Sequence, residues 1–498
     1  MTNRKNLYRF TRLKKTRMNK AWVAVIILSF ALTSCNMLKK GRGGKDEGQI
    51  VGKTSTSWLP KRPKGMVPIP SGSFILGQTD FDFTFDNSAP VRTVSVSGFF
   101  MDDAETTNSE YHVFVEYVRD SIARTMLAEK AASLGYDPTS GSSADATGIA
   151  AYRYISGSED GEKTPWDEYV ESQSTGRSGD YSIDQKKLNW DAELYWNKYE
   201  YPDVDYAETI DQLYYPPEDR FNDERLIDVR KLSYKYSWVD QESAAKASND
   251  PGAFRKDFRY EEEVAIYPDT TVWVRDFSYA HNDPMHENYY WHEAYSKYPV
   301  VGVNWKQAMA YCAFKTKKQN DYLAKRRKRK GPAEKVIVYR LPSEIEWEYA
   351  ARGGLQAAPY PWGGPYLIDD RGCYLANFKP KRGDYIEEPG KGYMYTAPAK
   401  TFHANGYGLY DMAGNVAEWT SSPYEKAFYQ MTSTLNPTSS PNSSENKVVR
   451  GGSWKDIGYL LMVSARDWEH QDSARSYIGF RTVQSYPEGS KVKFRKKR

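Results

Sequence analysis

Cysteine is scarce in this chain of 498 residues: Cys35, Cys312 and Cys373 are the only three. A scaffold stapled by disulfides is excluded, because such scaffolds carry several bridges in a short sequence. Long apolar runs are also missing. The most apolar stretch, Ala21–Leu32, holds twelve residues, well short of the roughly 20 that a membrane-spanning helix needs. Acidic residues are absent from positions 1–34, where eight basic ones stand, so the formal net charge of +4 becomes −4 without that segment. A body of that charge gives no reason to expect nucleic acid as a partner. Tyrosine, by contrast, is abundant, 40 residues against 19 phenylalanines. Its apolar ring and polar tip suit wet cores and contact surfaces.

The basic stretch, the short apolar run and then Thr33-Ser34-Cys35 have the order of a secretory signal. Leu32-Thr-Ser-Cys35 resembles a bacterial lipobox. Residues 1–34 are therefore expected to be a lipoprotein signal peptide, with either Met1 or Met18 as its start. Cys35 is expected to carry the N-terminal lipid, and residues 35–64 to form a lipidated, flexible basic tether.

The body opens at 65–132 with strand-like pieces, Gly65–Gly77 and Pro90–Asp102. Thr107-Asn-Ser-Glu110 is a capping box, and Tyr111, Phe114, Val115, Val118 and Ile122 follow at helical spacing. Residues 133–298 are polar, rich in Tyr and Trp and weakly periodic, and are expected to be an insertion that decorates the main fold and carries partner contacts. Regular signals return over 299–486. Asn304-Trp-Lys-Gln307 caps a helix bearing Ala308, Tyr311 and Cys312, so Cys312 reads as a buried thiol rather than half of a disulfide with Cys373. Lys325–Lys330 reads as a solvated loop. A strand over Val336–Leu341 precedes a further capping box, Ser343-Glu-Ile-Glu346. Residues 487–498 form a basic tail.

The stretch Asn405–Trp419 has too many glycines for a helix and too little alternation for a strand, so it predicts a turn-rich core element. Asp411, Asn415 and Glu418 place three oxygen-bearing side chains within eight positions. They suit either a hard cation such as Ca²⁺ or the tying of turn backbone.

Seven separated motifs, in order, resemble the formylglycine-generating enzyme (sulfatase-modifying factor) family. They are Gly72-Ser-Phe-x-x-Gly77, Glu105-Thr-Thr-Asn108, Pro299–Trp305, Arg340–Ala350, Asn405–Trp419, Arg450-Gly-Gly-Ser453 and Gly479-Phe-Arg481, spread over 66–118 and 299–483. The resemblance implies an α+β, C-type-lectin-like fold with much irregular structure and a long insertion. It also implies calcium-binding positions at Asn377, Tyr393, Asn415 and Glu418, with Lys391 where an acidic ligand is expected. The copper-binding cysteine pair of that family, expected just after Arg450-Gly-Gly-Ser453, has no counterpart in Lys455–Ser464, nor does any cysteine follow Cys373. No thiolate copper site follows from such residues, and the reading is of a protein without this catalysis. His281, His286 and His292 do not have the spacing of iron ligands on one helix face.

A lipoprotein with a cysteine-free version of this domain and a Tyr/Trp-rich insertion resembles the gliding-motility and type IX secretion lipoproteins of the GldK/PorK kind, with the GldJ kind as the alternative. This resemblance implies no enzymatic role. It implies a periplasmic ring under the outer membrane, built with copies of itself and a GldN/PorN-type protein. Two alternative readings are a lectin-like lipoprotein that binds peptidoglycan or another glycan, and a metal-dependent oxidase.

Overall fold

The computed structural model describes residues 62–78, 89–136, 147–156, 166, 168, 169, 186–247, 255–277, 283–326, 336–380 and 392–485. Cys35, the signal segment, nearly all of the tether and the basic tail lie outside the described residues. Among the described residues no helix is long and apolar enough to cross a membrane.

The first strands are β1 (Met66–Ile69), β2 (Gly72–Leu76), β3 (Arg92–Val96) and β4 (Phe99–Asp102). The long helix α1 (Asn108–Ser133) starts where the sequence signals it. Thr107 accepts from the backbone N–H of Glu110, and the Glu110 side chain accepts in return from that of Thr107. Within the insertion, α2 (Val204–Asp211) is capped by Asp203. The hairpin β5 (Ser233–Val239) and β6 (Arg259–Ala265) encloses a short helix α3 (Gln241–Lys246). Then come α4 (Trp305–Arg326), opened by reciprocal bonds between Asn304 and Gln307, the short strand β7 (Tyr339–Arg340), and α5 (Glu344–Ala351) behind the Ser343–Glu346 box. Finally β8 (Ala417–Pro423), β9 (Asn446–Arg450), β10 (Asp467–His470), β11 (Ile478–Gly479) and β12 (Val483–Ser485) complete the body.

Two four-stranded sheets result. One runs β1-β4-β12-β7, antiparallel throughout, so the last described strand lies between β4 and β7 and ties the two ends of the body together. The other runs β10-β9-β8-β11, with β11 parallel to β8. The mixture of short strands, few helices and irregular backbone is the α+β, C-type-lectin-like architecture expected from the sequence.

The insertion does more than decorate. Leu232 and Tyr236 of the hairpin region, with Ile266 and Tyr290, are buried in the same cluster as Tyr111 and Phe114 of α1 and Trp305, Tyr311 and Phe314 of α4. Tyr111 donates to the Ile266 carbonyl at 2.8 Å. Each such side chain taken from water contributes about 1.5–3 kcal/mol, so the hairpin is part of the core. Its short-range pattern hid this, because Tyr234, Tyr236 and Trp238 alternate over too few positions to stand out.

Candidate functional site

The segment Asn405–Trp419 is held by its own amides. Asn405 accepts from the N–H of Tyr407 and Leu409 and donates to the carbonyls of Ala350 and Ala351, the last turn of α5. These are carbonyls that a helix end leaves without intrahelical partners. At Gly414 the backbone is left-handed, and a Cβ would collide with the Asn377 carbonyl. Asp411 and Asn415 also take positive φ, 54° and 64°, a region uncommon for residues with a side chain and most tolerated by Asn and Asp. The strain is held in place by bonds. Asn415 Oδ1 accepts from Ala397 N at 2.8 Å and from Asn377 Nδ2 at 3.3 Å, while its Nδ2 donates to Glu105 Oε1 at 3.1 Å.

Around this amide lies a buried, acid-rich group. Glu418 accepts from Arg481 Nε and from the indole of Trp347, both at 2.7 Å, on Oε2, and from Arg481 at 2.5 Å on Oε1. Asp411 Oδ2 accepts from the Lys400 N–H at 2.6 Å. Glu105 Oε2 and Asp411 Oδ1 receive no donor among the described residues. Burial, followed by the repulsion of Asp411, pushes the Glu105 carboxyl well above the usual range. Burial also raises Asp411, to about 6, against the pull of the Lys400 N–H, Arg481 and a hydrogen bond from Glu105. Two facing carboxylates that lack donors share a proton instead, and Glu105 is the carrier.

A second buried network flanks α5. Glu348 accepts from Gly77 N–H at 2.9 Å, from Arg352 at 2.5 Å, from Arg450, and from the Tyr429 hydroxyl at 3.3 Å. Glu344 accepts from Arg466 at 2.8 and 3.2 Å. Further guanidinium N–H groups of Arg352 and Arg450 donate to the carbonyls of Gly77, Ala358, Ser464 and Ala465.

Of the residues expected to bind calcium, the fold brings Asn377 and Asn415 together. Glu418 has both oxygens occupied by Arg481 and Trp347, and Tyr393 is 36% exposed. Ca²⁺ takes 6–8 oxygens, and among these four residues only Asn377 Oδ1 is a buried oxygen left without a partner. As placed, the four do not form one cage. Among the described residues no group of three or more His, Cys, Asp or Glu is placed to hold a metal. His286 is buried against Trp273, and His292 caps the turn at Glu293.

Both described cysteines are free, Cys312 buried and Cys373 exposed, in keeping with the buried thiol read from helical spacing. Burial raises the Cys312 thiol to about 12, so it is inert as a nucleophile or metal ligand. The segment after Arg450-Gly-Gly-Ser453 is filled by packing: Leu461 and Val463 are fully buried, and Lys455 covers the Tyr477 ring. Sequence reasoning noted Asp411 but gave no role to Glu105, Glu348 or Arg481. Their place inside the quoted motifs was the available signal.

The family model for the sulfatase-modifying factor enzyme 1-like domain matches residues 54–486. The formylglycine-generating enzyme of Bos taurus is 26% identical over 425 residues, 85% of this chain and 75% of that protein. That of Mus musculus is 35% identical over 189 residues, 37% of this chain and 44% of its own length, so the chain spans less than half of it. The inactive C-alpha-formylglycine-generating enzyme 2 of Bos taurus is 35% identical over 191 residues, 37% of this chain and half of that protein. Among solved structures, PvdO from Pseudomonas aeruginosa aligns over 87% of this chain and all of its own, at 15% identity and a TM-score of 0.41. Relatives thus include proteins named as enzymes and proteins named as inactive. With the family model spanning nearly all of the body, the chain belongs to the sulfatase-modifying factor enzyme 1-like domain family.

Proposed function

We propose that this chain is a non-catalytic structural lipoprotein of the type IX secretion and gliding machinery. In this reading it is anchored through a lipid on Cys35 to the periplasmic side of the outer membrane and forms a ring with a GldN/PorN-type partner. The observation that carries the non-catalytic part is the fate of the thiols. No cysteine follows Arg450-Gly-Gly-Ser453, Cys312 is locked in the core, and Cys373 stands exposed and unpaired. The lipobox at Cys35 and the Tyr/Trp-rich insertion support the assembly part.

The test is affinity isolation of the tagged full-length protein from native membranes in mild detergent, followed by imaging and composition analysis. A closed ring holding a second protein at a fixed ratio is expected. A lone lipoprotein, or thiol oxidation of a cysteine peptide by the purified protein, overturns the reading.

A further inference from the structure

A cavity of about 770 Å³ lies outside both ionic networks, between β5 of the insertion, α4, β7 and the loop 436–441. Small-molecule sites occupy roughly 300–1,000 Å³. The insertion builds one wall of it, and that wall is preformed. Trp238 lies stacked on Tyr260 with ring centroids 4.9 Å apart, its indole N–H donates to Glu262 at 3.2 Å, and the Tyr236 hydroxyl donates to the same carboxylate at 2.6 Å.

Most charged side chains of the lining are paired. Lys246 pairs with Glu242 at 2.7 Å, Arg259 with Glu261 at 2.9 Å, and Arg340 with Glu346 at 2.6 Å. Lys317 sits over the Tyr117 ring, and Asp240 accepts from the α3 N-terminus and from the Ser243 and Ser440 hydroxyls. Cations and carboxylates are interleaved along the lining, and groups that both donate and accept, as hydroxyls do, match such a mixture. Two shielded oxygens of the lining remain unpartnered among the described residues, Glu242 Oε2 and Ser439 Oγ. Buried oxygens without donors are costly, and an acyl chain would leave them so. A ligand that fits offers an apolar face to Trp238 and hydroxyl donors along its edge.

We infer that this cavity binds a neutral, hydroxyl-rich ligand, a short oligosaccharide of uncharged pyranoses. The inference is independent of the ring assembly.

The test uses the full-length protein with cellotriose, maltotriose and triacetylchitotriose as probes, read by titration calorimetry and tryptophan fluorescence. At least one is expected to bind, with the affinity lowered about tenfold by Trp238→Ala, a loss equivalent to about 1.4 kcal/mol, and severalfold by Glu242→Gln. Because Trp238→Ala also removes a packed ring, Trp238→Phe and Glu242→Gln are measured alongside, with thermal unfolding as the folding control. Absence of binding by all three sugars, binding that Glu242→Gln leaves unchanged, or displacement of the sugar by an uncharged alkyl detergent but not by excess sugar overturns the inference.

Discussion

The two buried ionic networks differ in the sign of their surplus. Around α5, Arg352, Arg450 and Arg466 face Glu344 and Glu348. Around Asn415, Glu105, Asp411 and Glu418 face Arg481 alone. The extra guanidinium is absorbed by backbone carbonyls, which are plentiful wherever strands end, and both carboxylates there accept from guanidinium donors. The extra carboxylates have no such recourse. Backbone N–H groups are mostly engaged in ladders, and after Lys400 N–H and Asn415 Nδ2 are taken, the remaining oxygens hold a proton. Surplus positive charge is thus met by neutral acceptors, whereas surplus negative charge is met by protonation.

Several measurements sharpen or break this contrast. Removing the hub of the cation-rich network has the largest expected effect. Glu348→Ala strands two buried guanidiniums, and breaking a buried pair by deleting one partner costs about 3–5 kcal/mol. The urea midpoint should fall accordingly at all pH values between 5 and 8. A loss below about 1 kcal/mol, the scale of an exposed pair, would mean that the network is hydrated.

Arg481→Met comes next, at a similar scale near neutral pH. Its loss should shrink at acid pH, where Glu105 and Asp411, the raised carboxyls that Arg481 also faces, are protonated and need the cation less. An equal loss at pH 5 and pH 8 would sink the assignment of Arg481 as the sole counter-charge.

Glu105→Gln separates the networks by sign. The native state holds protons there that the unfolded chain has released, since Asp411 moves from 3.8 to about 6 and Glu105 rises well above 4.5. More protons bound in the native state means that stability falls as pH rises, from near 3.8 through about 6 for Asp411 and onward for Glu105. The amide needs no proton, so Glu105→Gln should flatten that decline and leave the protein at pH 8 as stable as the parent, or up to about 2 kcal/mol more so. An unchanged slope of urea midpoint against pH would show that Glu105 does not carry the proton.

The smallest expected effect is local. Thr107→Ala removes the cap of α1 and should cost about 1 kcal/mol, independent of pH, in the same denaturation assay.

Much of the fold was readable because its signals are local. Thr107–Glu110, Asn304–Gln307 and Ser343–Glu346 each place donor and acceptor three positions apart, within reach of one helical turn, so spacing alone identifies them. The glycines of Asn405–Trp419 likewise announce turns. The role of Glu418 was not readable. Its spacing from Asn415 suggested a shared cation, yet Arg481 lies 63 positions on and Trp347 71 positions back, and their convergence takes up both of its oxygens. The hairpin Ser233–Ala265 was missed as core for a related reason. Its burial depends on α1 and α4, which are distant in sequence.

By itself, then, the sequence determined the family, the helix starts, the turn-rich centre, the scarcity of thiols and the composition of the charged motifs. Tertiary structure alone decided which carboxylates are paired with a cation and which hold a proton, and that the insertion hairpin closes a core and walls a cavity. The physical reason is range. Capping and turn formation are settled among neighbours along the chain, whereas the state of a buried carboxylate is set by whichever donors the fold brings within about 3 Å in a low-dielectric interior.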